Sequence, residues 1–108
     1  MSAGTRDERR AVREGRLLNA IFELVERVTK AELTNSGRKL LITYVRSSPE
    51  DTAAARARAS IRRYAQWDPP SMDEVRERHR TGAMEDLDWR LLKVENEARK
   101  LGEAEERG

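Results

Sequence analysis

Two stretches of this 108-residue chain place apolar residues three or four positions apart, which is the spacing of one face of an α-helix. The first stripe contains Leu17, Ile21, Leu24 and Val28, and the last contains Met84, Leu87, Leu91, Val94, Ala98 and Leu101. Only 37% of the residues are apolar, so any core must be thin and shared by several amphipathic helices. The pattern therefore predicts an all-α fold. The last stripe would also suit an intermolecular coiled coil, but in so short a chain we expect it to be core.

Capping residues, Gly and Pro divide the chain into segments. The predicted helices run from near Thr5 to near Leu33, over residues 40–45, from Pro49 to about Trp67, from Ser71 to about Arg80, and from about Met84 to Leu101. The run 40–45 would also suit a buried strand, but no other segment could pair with it. Ser48 and Ser71 are predicted N-caps, because an acidic residue follows each of them three positions later. Gly82 is predicted to interrupt the chain after the fourth helix.

The length of the chain allows one domain and is too short for two with separate cores. We therefore predict a single helical domain over residues 1–108, a small bundle of about four to five helices. Residues 1–16 lack apolar periodicity and are expected to fray, or to order only on a partner. Residues 102–108 are expected to form a mobile polar tail.

Several classes of site are excluded by composition. The chain has no cysteine, so it has no disulfide, thiolate metal site or cysteine nucleophile. His79 is the only histidine, and no metalloprotease, phosphate-loop or serine-hydrolase motif occurs. We therefore expect no catalytic residue, no metal, no cofactor and no enzymatic activity. Without cysteines, a secretory signal or an apolar run of roughly 18–20 residues, the chain is predicted to be cytoplasmic.

Basic residues are concentrated in the middle of the chain. Residues 38–67 contain seven Lys or Arg and only two Asp or Glu, whereas residues 68–108 contain eight and twelve. The seven cations are Arg38, Lys39, Arg46, Arg56, Arg58, Arg62 and Arg63. Because guanidinium groups match the geometry of phosphate, we predict that this set contacts a nucleic-acid backbone. An ordinary solvated helix face is the alternative.

The third helix carries four of these arginines beside an apolar stripe. The stripe contains Ala53, Ala57, Ile61 and Tyr64, with Trp67 at its edge. It is predicted to be core. On the last helix, Trp89 and Leu92 lie beside the apolar seam. We predict that Trp67, Trp89 and Leu92 contact a partner protein, because exposed aromatic residues often anchor interfaces.

Size, an all-helical pattern, the arginine-flanked third helix and the lack of a catalytic motif give the chain a resemblance to a known family. It resembles the small subunits of CRISPR effector complexes, which act in antiviral defence. The resemblance implies a helical bundle that packs on other protein subunits, in several copies per assembly, and presents basic residues to RNA or single-stranded DNA. It covers the whole chain in outline and includes no specific motif, so no residue role is carried over.

Two other functions fit the same residues. The first is a protein-only adaptor or assembly factor, of a phage or plasmid type, that uses the helix over 84–101 as its interface. The second is a helix-turn-helix DNA-binding protein with its turn at Ser47 and Ser48. The third helix would then read bases, but it is rich in alanine and has no Asn or Gln before Gln66, which argues against that reading.

Overall fold

The computed structural model describes residues 5–107, and this range contains five α-helices and no strand. The helices are α1 (Arg6–Thr29), α2 (Asn35–Ser47), α3 (Ala53–Ala65), α4 (Met72–Thr81) and α5 (Asp86–Arg107). The predicted all-α bundle is therefore confirmed.

The core lies where α1, α3 and α5 meet. α1 and α5 run antiparallel, and both apolar stripes that the sequence predicted contribute fully buried residues, among them Leu17 and Ile21 on α1 and Leu91 on α5. α3 packs against α1, α2 and α5, with Ala57 and Ile61 inaccessible to solvent. The small Ala57 side chain allows close helix approach, and burial of such apolar groups is the main favourable term in folding.

The starts of the helices are fixed by hydroxyl caps. Ser71 caps α4 as predicted, since its side chain accepts a hydrogen bond from the backbone N–H of Glu74. The prediction that Ser48 caps α3 is wrong. α3 begins four residues later than Pro49, and its cap is Thr52, whose Oγ1 lies 3.1 Å from the backbone N of Ala55. Ser48 precedes a proline, which disfavours helical backbone, so it ends α2 in an extended conformation.

Other helix ends also differ from the predicted ones. α1 stops at Thr29 because Lys30 adopts a left-handed conformation, and Glu26 then accepts a hydrogen bond from the backbone N–H of Leu33 at 2.8 Å. α2 begins at Asn35, inside the segment that was predicted to be a break, because Thr34 caps it.

The first helix begins close to its predicted start near Thr5, whereas the last helix continues past its predicted end at Leu101. Residues 6–16 are helical, and so are 102–107, beyond the predicted end of α5. The two ends support each other: Glu105 of α5 pairs with Arg10 of α1 at 3.4 Å and with Arg56 of α3 at 3.3 Å. These pairs give the polar end of α5 tertiary partners that hydrophobic periodicity does not reveal.

α4 is joined to α5 by a buried carboxylate. Asp88 accepts a hydrogen bond from Arg78 of α4 at 2.7 Å and another from the backbone N–H of Glu85 at 3.0 Å. The second bond satisfies an amide at the start of α5. Gly82 ends α4 with φ of 75°, a left-handed conformation that glycine adopts readily, so the predicted interruption is confirmed.

Candidate nucleic-acid interface

The seven predicted cations fall into three groups in the folded chain. Arg56 and Arg58 form the first, and both turn towards α5. Arg56 pairs with Glu105. Arg58 donates to Glu95 at 2.6 Å and to the backbone carbonyl of Pro70 at 2.9 Å. Only 21% and 24% of these two arginine side chains remain accessible, so they hold α3 against α5 and do not form part of the outer surface.

Arg46, the second group, is paired with a carboxylate but remains largely exposed to solvent. Its Nη2 lies 2.7 Å from Glu14 Oε1 on α1, while most of the side chain stays exposed. The hydrogen bond that Arg46 donates to Glu14, followed by the negative charge of Glu14, raises the pKa of the Arg46 guanidinium. Arg46 therefore links α2 to α1 and presents a charge that is already partly neutralised.

The remaining four cations are exposed on α2 and α3. Lys39 has no carboxylate partner among the residues the structure describes. Arg38 lies over the ring of Phe22 at 5.7 Å, and Arg63 lies over the ring of Tyr44 at 4.0 Å. Neither contact uses an N–H group. Both arginines therefore keep their donors available for an external acceptor.

Arg62 is the one member of this group with a nearby carboxylate. The guanidinium is 3.8 Å from Asp68, too far for a hydrogen bond, and the two side chains are 62% and 83% exposed. Such an exposed pair contributes about 0–1 kcal/mol. We call Arg38, Lys39, Arg62 and Arg63 the basic face.

Several arginines of α4 and α5 are paired with a carboxylate of their own helix. Arg76 pairs with Asp73, and Arg80 with Glu77, three residues away on α4. On α5, Arg90 pairs with Asp86 and Arg99 with Glu103, each four residues away. The basic face lacks this arrangement, because α2 and the outward side of α3 carry no acidic residue at helical spacing.

A crevice between α2 and α3 opens beside two members of the basic face. Its volume is about 300 Å³.

 It is lined by Tyr44, Ser47, Ser48, Pro49, Ala59, Ser60, Arg62 and Arg63. The Ser48 Oγ accepts a bond from the backbone N–H of Glu50 at 3.3 Å, which leaves its own O–H free to donate. The crevice thus combines two guanidinium groups, an aromatic ring and a hydroxyl donor.

The three residues predicted to contact a partner protein, Trp67, Trp89 and Leu92, differ in their exposure in the folded chain. Trp89 is 51% exposed, and the ring of His79 on α4 meets it edge-on at 5.8 Å. Leu92 lies three residues further along α5 and is half-buried, while Trp67 is half-buried against the core. No spacing in the sequence indicates the contact of His79 with Trp89.

A larger groove lies between the start of α3, α4 and α5, and Leu92 lines it. The volume of this groove is about 860 Å³. Small or apolar residues such as Ala54, Met72 and Ala98 line it together with acidic residues of α5. This groove is left open because α4 is much shorter than α5 and covers only part of that helix. Sequence periodicity contains no signal for such a gap between helices.

Neither a cluster of metal ligands nor a membrane-spanning helix occurs in the described part of the chain. Within residues 5–107, no three His, Asp or Glu side chains are grouped so that they could hold a metal ion. None of the five helices over this range is both long enough and apolar enough to cross a membrane.

The resemblance to the small subunits of CRISPR effector complexes stays a hypothesis based on size and helical pattern. No family model, no curated protein and no solved structure matches this chain.

Proposed function

We propose that this protein is a non-catalytic helical subunit of a nucleoprotein assembly. It contacts the phosphate backbone of RNA or single-stranded DNA through the basic face and packs on neighbouring proteins through α5. This is the role that the resemblance to CRISPR small subunits implies. The observation that carries the proposal is the presence of four exposed cations on two adjoining helices, which have among the described residues a single weak carboxylate neighbour, Asp68.

The contrast with α4 and α5 supports this assignment over an ordinary solvated face. Surface arginines on those helices pair with carboxylates one turn away, as Arg76 does with Asp73 at 2.9 Å. An unneutralised cluster attracts polyanions, and each phosphate contact releases counterions from the strand. The helix-turn-helix alternative loses support, because α3 is packed against three other helices and tied to α5 by Arg58.

Binding of a labelled 20-nucleotide RNA or DNA strand, followed by fluorescence anisotropy, tests the proposal. The test variant is Arg62→Gln with Arg63→Gln, and the control is Arg76→Gln with Arg80→Gln, which removes the same charge from exposed sites. We expect the test variant to bind at least about tenfold more weakly than the control at equal salt. Equal loss in both variants would show that net charge alone is responsible and would contradict the proposal.

The protein-only adaptor is a second candidate, favoured by the exposure of Trp89 on α5 and by the groove that Leu92 of the same helix lines. Replacing Trp89 with Ala should then release a protein partner without changing the fold. Size-exclusion chromatography of the tagged protein from its host, with absorbance read at two wavelengths, separates the two candidates. A large complex that contains no nucleic acid would favour the adaptor.

A further inference from the structure

The crevice between α2 and α3 contains more than positive charge. Tyr44 lies at its wall, and the guanidinium carbon of Arg63 sits 4.0 Å above the centre of the Tyr44 ring. Arg63 makes no hydrogen bond or ion pair with the described residues, so the aromatic contact is what positions it. A guanidinium held over a ring has its opposite face available for stacking, and its N–H groups point outwards in the plane.

Two further donors lie at the same crevice. Arg62 is largely exposed, and its only neighbouring carboxylate is 3.8 Å away. The Ser48 hydroxyl accepts from Glu50 and retains its own proton for donation. In contrast, the Ser47 hydroxyl is already used, because it donates to the backbone carbonyl of Thr43 at 2.7 Å. The donors available to a phosphate therefore include those of Arg62, Arg63 and Ser48.

We infer that this crevice binds one nucleotide of a single strand, with its phosphate on Arg62 and Ser48 and its base against the Arg63–Tyr44 stack. The inference rests on the proposed function and names the form of nucleic acid. A volume of about 300 Å³ lies at the lower end of small-ligand pockets. Bases of a duplex are paired and stacked inside the helix and cannot reach such a crevice, whereas an unpaired base can stack on an aromatic ring or a guanidinium plane.

The experiment compares three probes at one salt concentration: a labelled 12-nucleotide oligothymidine, an abasic strand with the same phosphates, and a 12-base-pair duplex. We expect the full chain to bind oligothymidine about tenfold more tightly than the abasic strand, because each stacked base adds to affinity. Arg63→Lys keeps the charge and removes the planar group. It should bring the two affinities close together, whereas Arg76→Lys should leave their ratio unchanged.

Tyr44→Leu gives a second test, with its fold checked by circular dichroism. If that variant does not fold, Arg63→Lys alone carries the test, since Arg63 is exposed on the surface of α3. Equal affinity for the intact and abasic strands, or tighter binding of the duplex, would overturn the nucleotide site and leave backbone binding in place. Failure of all three probes to bind would overturn the proposed function as well.

Discussion

Arg58 and Arg62 lie one turn apart on α3, yet their side chains end in different surroundings. Arg58 contacts Glu95 and the carbonyl of Pro70, whereas Arg62 extends into solvent. Residues four apart share a helix face, so the difference comes from position along α3: Glu95 and the Pro70 carbonyl lie beside Arg58, and Arg62 has Asp68 at 3.8 Å. The same type of residue therefore stabilises the fold at one position and is available to a ligand at the other.

The Arg58 contact predicts a clear difference in stability. Arg58→Ala leaves the partly buried Glu95 carboxylate without its partner and should lower the free energy of unfolding by about 1–3 kcal/mol. Arg62→Ala should change it by less than about 0.5 kcal/mol, because its ion pair is exposed. Urea unfolding followed by circular dichroism measures both. Equal effects at the two positions would show that Arg58 is not a structural residue.

Gly15 and Gly37 should respond in opposite ways to alanine. Gly15 is inside α1 with open space around it, so Gly15→Ala should add about 0.5–1 kcal/mol to stability. At Gly37 a Cβ would come within 2.6 Å of the Tyr64 hydroxyl oxygen. Gly37→Ala should therefore destabilise the protein by about 1–3 kcal/mol.

The thermal midpoints of the two glycine variants measure this difference. Adding Tyr64→Phe to Gly37→Ala removes the oxygen that is in the way and should recover part of the loss. No recovery in the double variant would mean that the cost at Gly37 has another origin.

At the scale of the elements, the N-terminus of α3 has two candidate capping residues, Thr52 and Ser48, and their substitution distinguishes them. Thr52 accepts a hydrogen bond from the backbone N–H of Ala55, whereas Ser48 contacts only the N–H of Glu50, outside the helix. Thr52→Ala should cost about 1 kcal/mol and Ser48→Ala less than about 0.5 kcal/mol. Chemical unfolding of both variants decides between the two caps, and a larger loss at Ser48 would restore the cap that the sequence suggested.

The attachment of α4 to α5 depends on Asp88. Asp88→Ala should lower the free energy of unfolding by about 2–3 kcal/mol, because it removes the hydrogen bond from Arg78 and the one from the backbone N–H of Glu85, just before α5. A double-mutant cycle with Arg78→Ala isolates the part due to the pair. Purely additive effects would indicate that Arg78 and Asp88 do not interact in solution.

At the scale of the whole molecule, opposite charges are separated between α2–α3 and α5. Residues 38–67 are basic and residues 68–108 are acidic, but Glu95 and Glu105 of α5 neutralise the two inward arginines of α3. What remains exposed on α2 and α3 is the basic face. The exposed cations of α2 and α3 therefore have no acidic neighbour on their own helices, while two carboxylates of α5 are used inside the fold.

The salt dependence of binding should reflect this separation. If all four cations of the basic face contact phosphates, the logarithm of the single-strand affinity should fall against the logarithm of salt with a slope of about −3. Arg62→Gln with Arg63→Gln should reduce that slope to about −1.5. Anisotropy titrations over a range of salt concentrations give both values. A slope near zero in the unchanged protein would argue against backbone contacts.

Hydrophobic spacing and local capping alone determined the all-α class, the buried stripes and the cap at Ser71. These features depend on residues within one or two turns of each other, so the sequence displays them directly. The destinations of Arg56 and Arg58, the contact of Tyr44 with Arg63 and the crevice beside it were decided only by the tertiary structure. Glu105 lies 49 residues from Arg56, and Glu95 lies 37 residues from Arg58. Which side chains meet over such separations depends on how the packed core rotates and aligns each helix against its neighbours, and no local pattern contains that information.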